Sequence, residues 1–146
     1  MVDPKIPNMH LYNNVFCLTP NIHEFAKMCE CNIDSNDINS LLYQAKIISD
    51  KYNFDNIVVT LGEKGAFCYS NECHEFIEGI KKEVANTIGA GDTFISMLAL
   101  SVSVGFDFYA AVLLANVAAS IVVSKKYTSL CVIKEVMQNI RSLLNE

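Results

Sequence analysis

The chain carries little charge. Asp, Glu, Lys and Arg make up 18% of its 146 residues, against 51% hydrophobic residues, and the mean hydropathy is +0.26. No run of lysine and arginine exceeds a pair, Lys81-Lys82 and Lys125-Lys126, and the net charge is −5. Nucleic-acid binding needs a basic footprint, which is missing here. Hydrophobic runs of membrane length are missing too. Leu98–Phe106 is short, and Phe108–Ser124 is 17 residues with Asn116 inside it, where a span takes about 20 apolar residues. Met1-Val2-Asp3-Pro4 has neither the basic flank nor the apolar segment of a secretory signal. These absences lead us to expect a cytoplasmic protein with no nucleic-acid and no membrane partner.

Paired cysteine motifs are also lacking. The six cysteines, Cys17, Cys29, Cys31, Cys68, Cys73 and Cys131, contain no CxxC. Most sit among apolar neighbours, where a free thiol behaves as a small hydrophobe. A zinc site from Cys68, Cys73 and His74 is conceivable, but their spacing suits it poorly.

There is no repeat, no low-complexity segment and no linker, so one domain is the default. Val2-Asp3 reads as the last rung of a strand and Val15–Leu18 as a buried strand ended by Thr19-Pro20. Helix-start chemistry follows at Thr19, Pro20 and Asn21, with Glu24 in the first turn of a helix from Ile22 to Cys29. Asp34 or Ser35 is the expected cap of a second helix. Ile38, Leu41, Leu42, Ala45, Ile47 and Ile48 give that helix an apolar face, and it should end near Tyr52-Asn53. Ile57–Leu61 is a β-branched run suited to a strand buried on both faces. Gly62–Gly65 makes a turn. Ala66–Tyr69 and Glu75–Ile77 read as short strands around a polar loop, Ser70–His74. Helices are expected over Ala90–Val104, Phe108–Ser124 and within Val132–Leu144. Strand–helix alternation predicts an α/β domain with a mostly parallel sheet.

Neither phosphate-binding glycine signature in wide use, GxxxxGK[ST] or GxGxxG, is present. What is present is Gly89-Ala90-Gly91-Asp92 at the mouth of an apolar helix. A helix start has four unpaired N–H groups and a partial positive charge. Glycines there let the backbone approach a ligand, so the segment could form an anion pocket with a carboxylate beside it. The same residues could equally be a glycine turn followed by a dipole-stabilising Asp.

This loop resembles the G-A-G-D signature of the ribokinase/PfkB family of carbohydrate kinases. Three more stretches match in the same order. Thr19-Pro20-Asn21-Ile22-His23-Glu24 is similar to the T-P-N-x-x-E element, Val59-Thr60-Leu61-Gly62-Glu63-Lys64-Gly65 to the nucleotide-loop T-x-G-x-x-G, and Ala115-Asn116-Val117-Ala118-Ala119 to a small-residue helix bordering the adenine. Within the family the chain most resembles the kinase domain of bacterial heptose-7-phosphate kinase/ADP-heptose synthases. That likeness rests on Val2-Asp3-Pro4-Lys5, on the 13 residues between it and T-P-N, and on Ser124-Lys125-Lys126-Tyr127-Thr128-Ser129.

The resemblance implies a ribokinase-like, Rossmann-like fold: a mostly parallel sheet flanked by helices, with only the C-terminal nucleotide-binding half present. Residues 1–146 would be one partial kinase domain lacking the N-terminal sugar-binding half and lid. ATP and Mg²⁺ are the implied cofactors and a small sugar or sugar phosphate the implied acceptor. Asp92 would be the catalytic base, and the amides of Gly89, Ala90 and Gly91 would hold the transferred phosphoryl group. Asn21 and Glu24 would order Mg²⁺ and its waters. Thr60, Gly62 and Gly65 would shape the triphosphate pocket, Asn116 would lie beside the purine, and Lys125 would belong to the late nucleotide loop. Three positions depart from the pattern: Asn86 for the usual Asp, Ile88 for Thr, and Tyr127 for Gly. The alternative is a catalytically inactive fragment or split-gene product that only binds nucleotide or oligomerises. The uncovered apolar surface would be met by a homo-oligomer or by the missing N-terminal half.

Overall fold

The computed structural model describes residues 1–70, 73–127 and 129–144. The chain divides into two compact units, Met1–Glu78 and Gly79–Glu146.

The first unit is built on a four-stranded sheet in the order β1 (Cys17–Leu18), β2 (Asn56–Thr60), β3 (Gly65–Ser70) and β4 (Cys73–Glu78). Val2 adds a parallel bridge to Leu18 on the outer side of β1. The sheet is mixed, and this corrects the expectation of a mostly parallel one. β1 and β2 run parallel, whereas β2–β3 and β3–β4 are antiparallel. The connections explain the difference. A parallel neighbour needs a crossover of a dozen or more residues. That length exists between β1 and β2, where α1 (Ile22–Met28) and α2 (Ile38–Tyr52) lie, but not between β2 and β3, joined through a short 3-10 turn at Gly62–Lys64. Ser70 and Cys73 face each other in register, so the polar loop expected over Ser70–His74 is mostly strand. Its residues 71 and 72 lie outside the described ones.

The β-branched run of β2 is buried as its composition requires, with Ile57, Val58 and Val59 all fully buried. On one face Leu18, Ile57, Val59, Phe67 and Tyr69 pack with Phe25 and Met28 of α1 and Leu41, Ala45 and Ile48 of α2. Each large side chain buried in this way contributes about 1.5–3 kcal/mol. The expected cap of α2 shifts by a few residues. Asp34 Oδ1 accepts the Asn36 amide and side chain, both at 2.9 Å, in a local turn. Asp37 therefore caps the helix, accepting the Ser40 N–H at 3.0 Å. Asn53 closes the helix in a left-handed conformation, φ 55°. A 3-10 helix at Ile6–Leu11 had no counterpart in the sequence reading.

The second unit holds α3 (Ala90–Ser103), α4 (Phe108–Val123) and α5 (Ile133–Leu144). α3 and α4 pack as a helical hairpin, and α4 also packs on α5. α4 is apolar nearly all round and is the most buried helix of the unit. Val117, Ala118 and Ile121 close on Val136 of α5. The carbonyl of Val123, the last residue of α4, accepts two amides, Ala85 at 2.8 Å and Asn86 at 3.1 Å. The segment that leads to Gly89 is thereby pinned to the end of α4. Among the described residues no helix is long and apolar enough to cross a membrane.

All six cysteines are free thiols. The trio Cys68, Cys73 and His74 cannot share a metal. In the β3–β4 register Cys68 lies opposite Glu75 and Ser70 opposite Cys73, while His74 lies opposite Tyr69. Alternation then puts His74 on the other face of the sheet from both cysteines, and it stacks on Phe67. Burial pushes the Cys17 thiol up to about 12. In the native protein at pH 8, Cys73, which is exposed, will react first with an aromatic disulfide reagent. Buried Cys17 and Cys68 will react only after denaturation. Fast labelling of Cys17 in the folded chain, read by peptide mass mapping, would contradict this packing.

Candidate functional site

In the first unit two of the four sequence motifs meet. β1 runs out into Thr19-Pro20-Asn21 and β2 into Thr60-Leu61-Gly62, both at carboxyl ends of adjacent parallel strands. The Thr60 amide donates to the Pro20 carbonyl at 2.9 Å, and Asn21 and Thr60 form a parallel bridge. Ligands of open α/β sheets collect at this edge. Asn21 caps α1, its Oδ1 accepting the His23 and Glu24 amides at 3.0 and 2.9 Å. Glu24 Oε2 accepts the Asn21 amide at 2.9 Å, completing a capping box. Both side chains are therefore already used at the helix start. Among the described residues no group of three or more His, Cys, Asp and Glu converges to hold a metal ion. An ion that keeps much of its hydration, as Mg²⁺ does, needs few protein carboxylates.

The turn after β2 uses its two glycines differently. Gly65, at φ 105° and ψ −128°, occupies a region open to glycine and starts β3, with the Leu61 amide bonded to its carbonyl at 2.8 Å. Gly62, at φ 64°, is exposed, and a Cβ built on it would touch nothing within 4 Å. Lys64 ties this turn to the loop before α2, donating to Ser35 Oγ at 2.7 Å and Asn36 Oδ1 at 2.8 Å. The sequence reading assigned Lys64 no such contact.

The second unit presents the glycine loop at the start of α3. Asn86 Oδ1 accepts the Ile88 amide at 3.0 Å, a role that an Asp would fill equally well. Gly89 is the N-cap, at φ 81°, and its carbonyl takes the first helical bond from Thr93 at 2.9 Å. Gly89 thus has a conformational reason to be glycine. Gly91 has none. It lies inside the helix with ordinary φ, is exposed, and a Cβ there would meet nothing within 4 Å. Glycine in a helix costs about 1 kcal/mol relative to alanine. A missing side chain at such a position would let a ligand approach the backbone closely. Asp92 is exposed in the first turn, where its charge complements the helix dipole.

Asn116 is buried within α4 at 8% exposure. Lys125 follows the end of α4, but its ammonium is engaged by the protein. It donates to the Leu130 carbonyl at 2.8 Å and lies 2.9 Å from Glu135. That hydrogen bond, with a second from the Val132 amide, holds the Glu135 carboxyl below the usual carboxylate range. Glu135 escaped the sequence reading. Its position three residues after a helix cap is the signature of a capping box, but the cap here is Val132 and not Ser or Thr, so the usual pattern is incomplete. Thr128 of the Ser124–Ser129 stretch lies outside the described residues.

Residues 1–135 match the pfkB family of carbohydrate kinases. The chain belongs to that family. Relatives of this pfkB protein include bifunctional protein HldE of Coxiella burnetii (strain RSA 493 / Nine Mile phase I), 36% identical over 127 residues, which make up 86% of this chain and 26% of the relative. HldE of Shewanella loihica (strain ATCC BAA-1088 / PV-4) is 38% identical over 130 residues, 88% of this chain and 27% of the relative. The chain thus spans about a quarter of the length of these relatives. Phosphofructokinase-2 from Escherichia coli, solved with potassium, superposes with a TM-score of 0.82 at 20% identity, covering 97% of this chain and 44% of that one. Ribokinase from Thermotoga maritima gives 0.79 at 22% identity, covering 92% and 45%. These likenesses establish the ribokinase-like fold, with the mixed sheet described above.

Gly91→Ala should leave stability unchanged or raise it by up to ~1 kcal/mol. Gly89→Ala should lower it by ~1–2 kcal/mol, because alanine is strained at positive φ. Urea denaturation of the two variants checks both. Equal losses would mean that Gly91 is required by the fold itself.

Proposed function

We propose that this pfkB chain supplies the nucleotide-binding and catalytic part of a sugar kinase, transferring the γ-phosphoryl group of ATP to a sugar hydroxyl. The observation that carries the reading is the helix start Gly89-Ala90-Gly91-Asp92, with an exposed glycine at Gly91 that neither backbone conformation nor packing demands. A heptose 7-phosphate is the favoured acceptor, on the likeness of the Val2–Lys5 start and the Ser124–Ser129 stretch to heptose-7-phosphate kinases.

On this reading the amides of Gly89, Ala90 and Gly91 donate to the phosphoryl oxygens as charge builds there. One such donor contributes on the order of 3 kcal/mol in other enzymes. Asp92 accepts the proton of the attacking hydroxyl. Bound Mg²⁺ neutralises charge on the phosphates. Asn21 and Glu24 orient its waters while keeping α1 capped, and Thr60, Gly62 and Gly65 shape the turn that faces the phosphates. Asn116 borders the base. Most sugar-binding residues come, on this reading, from outside these 146 residues.

A second reading, nucleotide binding or self-association without transfer, is favoured by the capping box, which accounts for Asn21 and Glu24 without any ligand. Isothermal titration with Mg·ATP separates the cases. Saturable binding is expected, weakened at least tenfold in Gly91→Ala despite its intact stability. Asp92→Asn should keep the affinity. In any preparation that phosphorylates a heptose 7-phosphate, including one completed in trans, it should lower turnover by about 10²–10⁴-fold. Binding with no turnover under any pairing would favour the second reading. No binding by the folded chain would refute the first.

A further inference from the structure

The stretch that delivers the glycine loop has no helix or strand of its own. Residues 79–88 run between β4 and α3 as irregular chain. Such a segment keeps one path only where other parts of the protein tie it down. The ties come in order along the second unit. Ile80 packs against the cluster that Val117, Ala118 and Ile121 form with Val136. Lys82 Nζ donates to Asn139 Oδ1 of α5 at 2.6 Å. The Ala85 and Asn86 amides then meet the Val123 carbonyl, and Asn86 Oδ1 accepts the Ile88 amide just before Gly89. The bonds to Val123 are backbone bonds that many residues at these positions could make. The Lys82 contact depends on side-chain identity at both ends, and it joins positions 57 residues apart.

The chemistry of that contact runs one way. An ammonium only donates, so the oxygen of the Asn139 amide must face Lys82 and its nitrogen must face elsewhere. That nitrogen donates to the Glu135 carbonyl, one turn back on α5, at 2.8 Å. Both ends of the amide are used, and its orientation is thereby fixed. Asparagine is a weak helix former, yet α5 places one where it spans its own helix and the approach to the loop. Lys82 gives up hydration for a neutral partner, and burial pushes its ammonium below the usual lysine range. The neighbouring Lys81 stays exposed, as a lysine that serves only solubility would. We propose that Lys82 and Asn139 are positioning residues: their contact sets the path of residues 82–88 and, through it, the placement of the Gly89, Ala90 and Gly91 amides at the start of α3. The inference rests on the proposed use of those amides and extends it to α5, to which that reading gives no role.

The test uses the whole chain and three variants, Lys82→Met, Asn139→Leu and Asn139→Asp. The last keeps an acceptor for the ammonium. Amide exchange is measured without ligand, and Mg·ATP binding by calorimetric titration. Lys82→Met and Asn139→Leu should quicken exchange at Ala85, Asn86 and Ile88 by about tenfold, with Val117, Ala118 and Ile121 of α4 unchanged. Both should weaken Mg·ATP by about three- to tenfold. Asn139→Asp should stay within about twofold of the wild type in both measurements. Unchanged exchange at 85–88 in the first two variants overturns the positioning role, whatever binds. Quickening that spreads equally through α4 makes the contact a matter of general stability and overturns it as well. So does quickened exchange with unchanged Mg·ATP affinity, since the amides would then be placed without the contact. Failure of Asn139→Asp to rescue would show that Asn139 does not act as the acceptor for Lys82. A wild-type chain that binds no Mg·ATP refutes the nucleotide reading instead, and the positioning role falls with it.

Discussion

One hydrogen bond, from the Thr60 amide to the Pro20 carbonyl at 2.9 Å, sets the working edge of the first unit. It extends the parallel pairing of β1 and β2 beyond the last formal rung. In doing so it fixes the start of α1 beside the turn after β2. Without it T-P-N-x-x-E and T-x-G-x-x-G would be two unrelated strand exits. With it they form one edge at the carboxyl ends of parallel strands, where helix starts and glycine turns direct N–H groups outward. The capping box at Asn21 and Glu24 then determines where α1 begins, and so which amides remain available there.

Much of this was legible in the residues, for identifiable reasons. β2 and α4 are long apolar runs whose burial overrides any competing local preference, and both lie within a residue of where the pattern put them. Asn53 was legible as a helix end because a left-handed residue favours Asn. The cap of α2 was misplaced because Asp34, Ser35 and Asp37 all offer a capping oxygen. Which one serves depends on Asp34 first finding the Asn36 amide. The mixed sheet was misjudged because strand–helix alternation was allowed to speak for the whole unit. The short connection between β2 and β3, visible in the sequence, already forbade a crossover.

The candidate site was legible as motifs and not as contacts. G-A-G-D identifies its own loop, and the structure adds that its two glycines answer to different demands. Gly89 serves the backbone turn, and Gly91 leaves open space that the fold makes no use of. Lys125 and Glu135 lie ten positions apart and form a pair only because the chain turns between α4 and α5. No periodicity or spacing rule reaches across an irregular turn of that kind. Long-range polar pairs are what sequence reading misses, whereas single-element patterns are what it captures.

The shared carbonyl of Val123 has a dynamic consequence. Two consecutive amides, Ala85 and Asn86, end on one acceptor at the terminus of the most apolar helix of the second unit. The approach to the glycine loop therefore cannot lift away as a local flap without stripping the final turn of α4 of both partners. The shared acceptor belongs to the last turn of a helix in which Ile121 and Val122 are buried. Protection of those two amides against exchange therefore reports the free energy of detaching this segment from the end of α4.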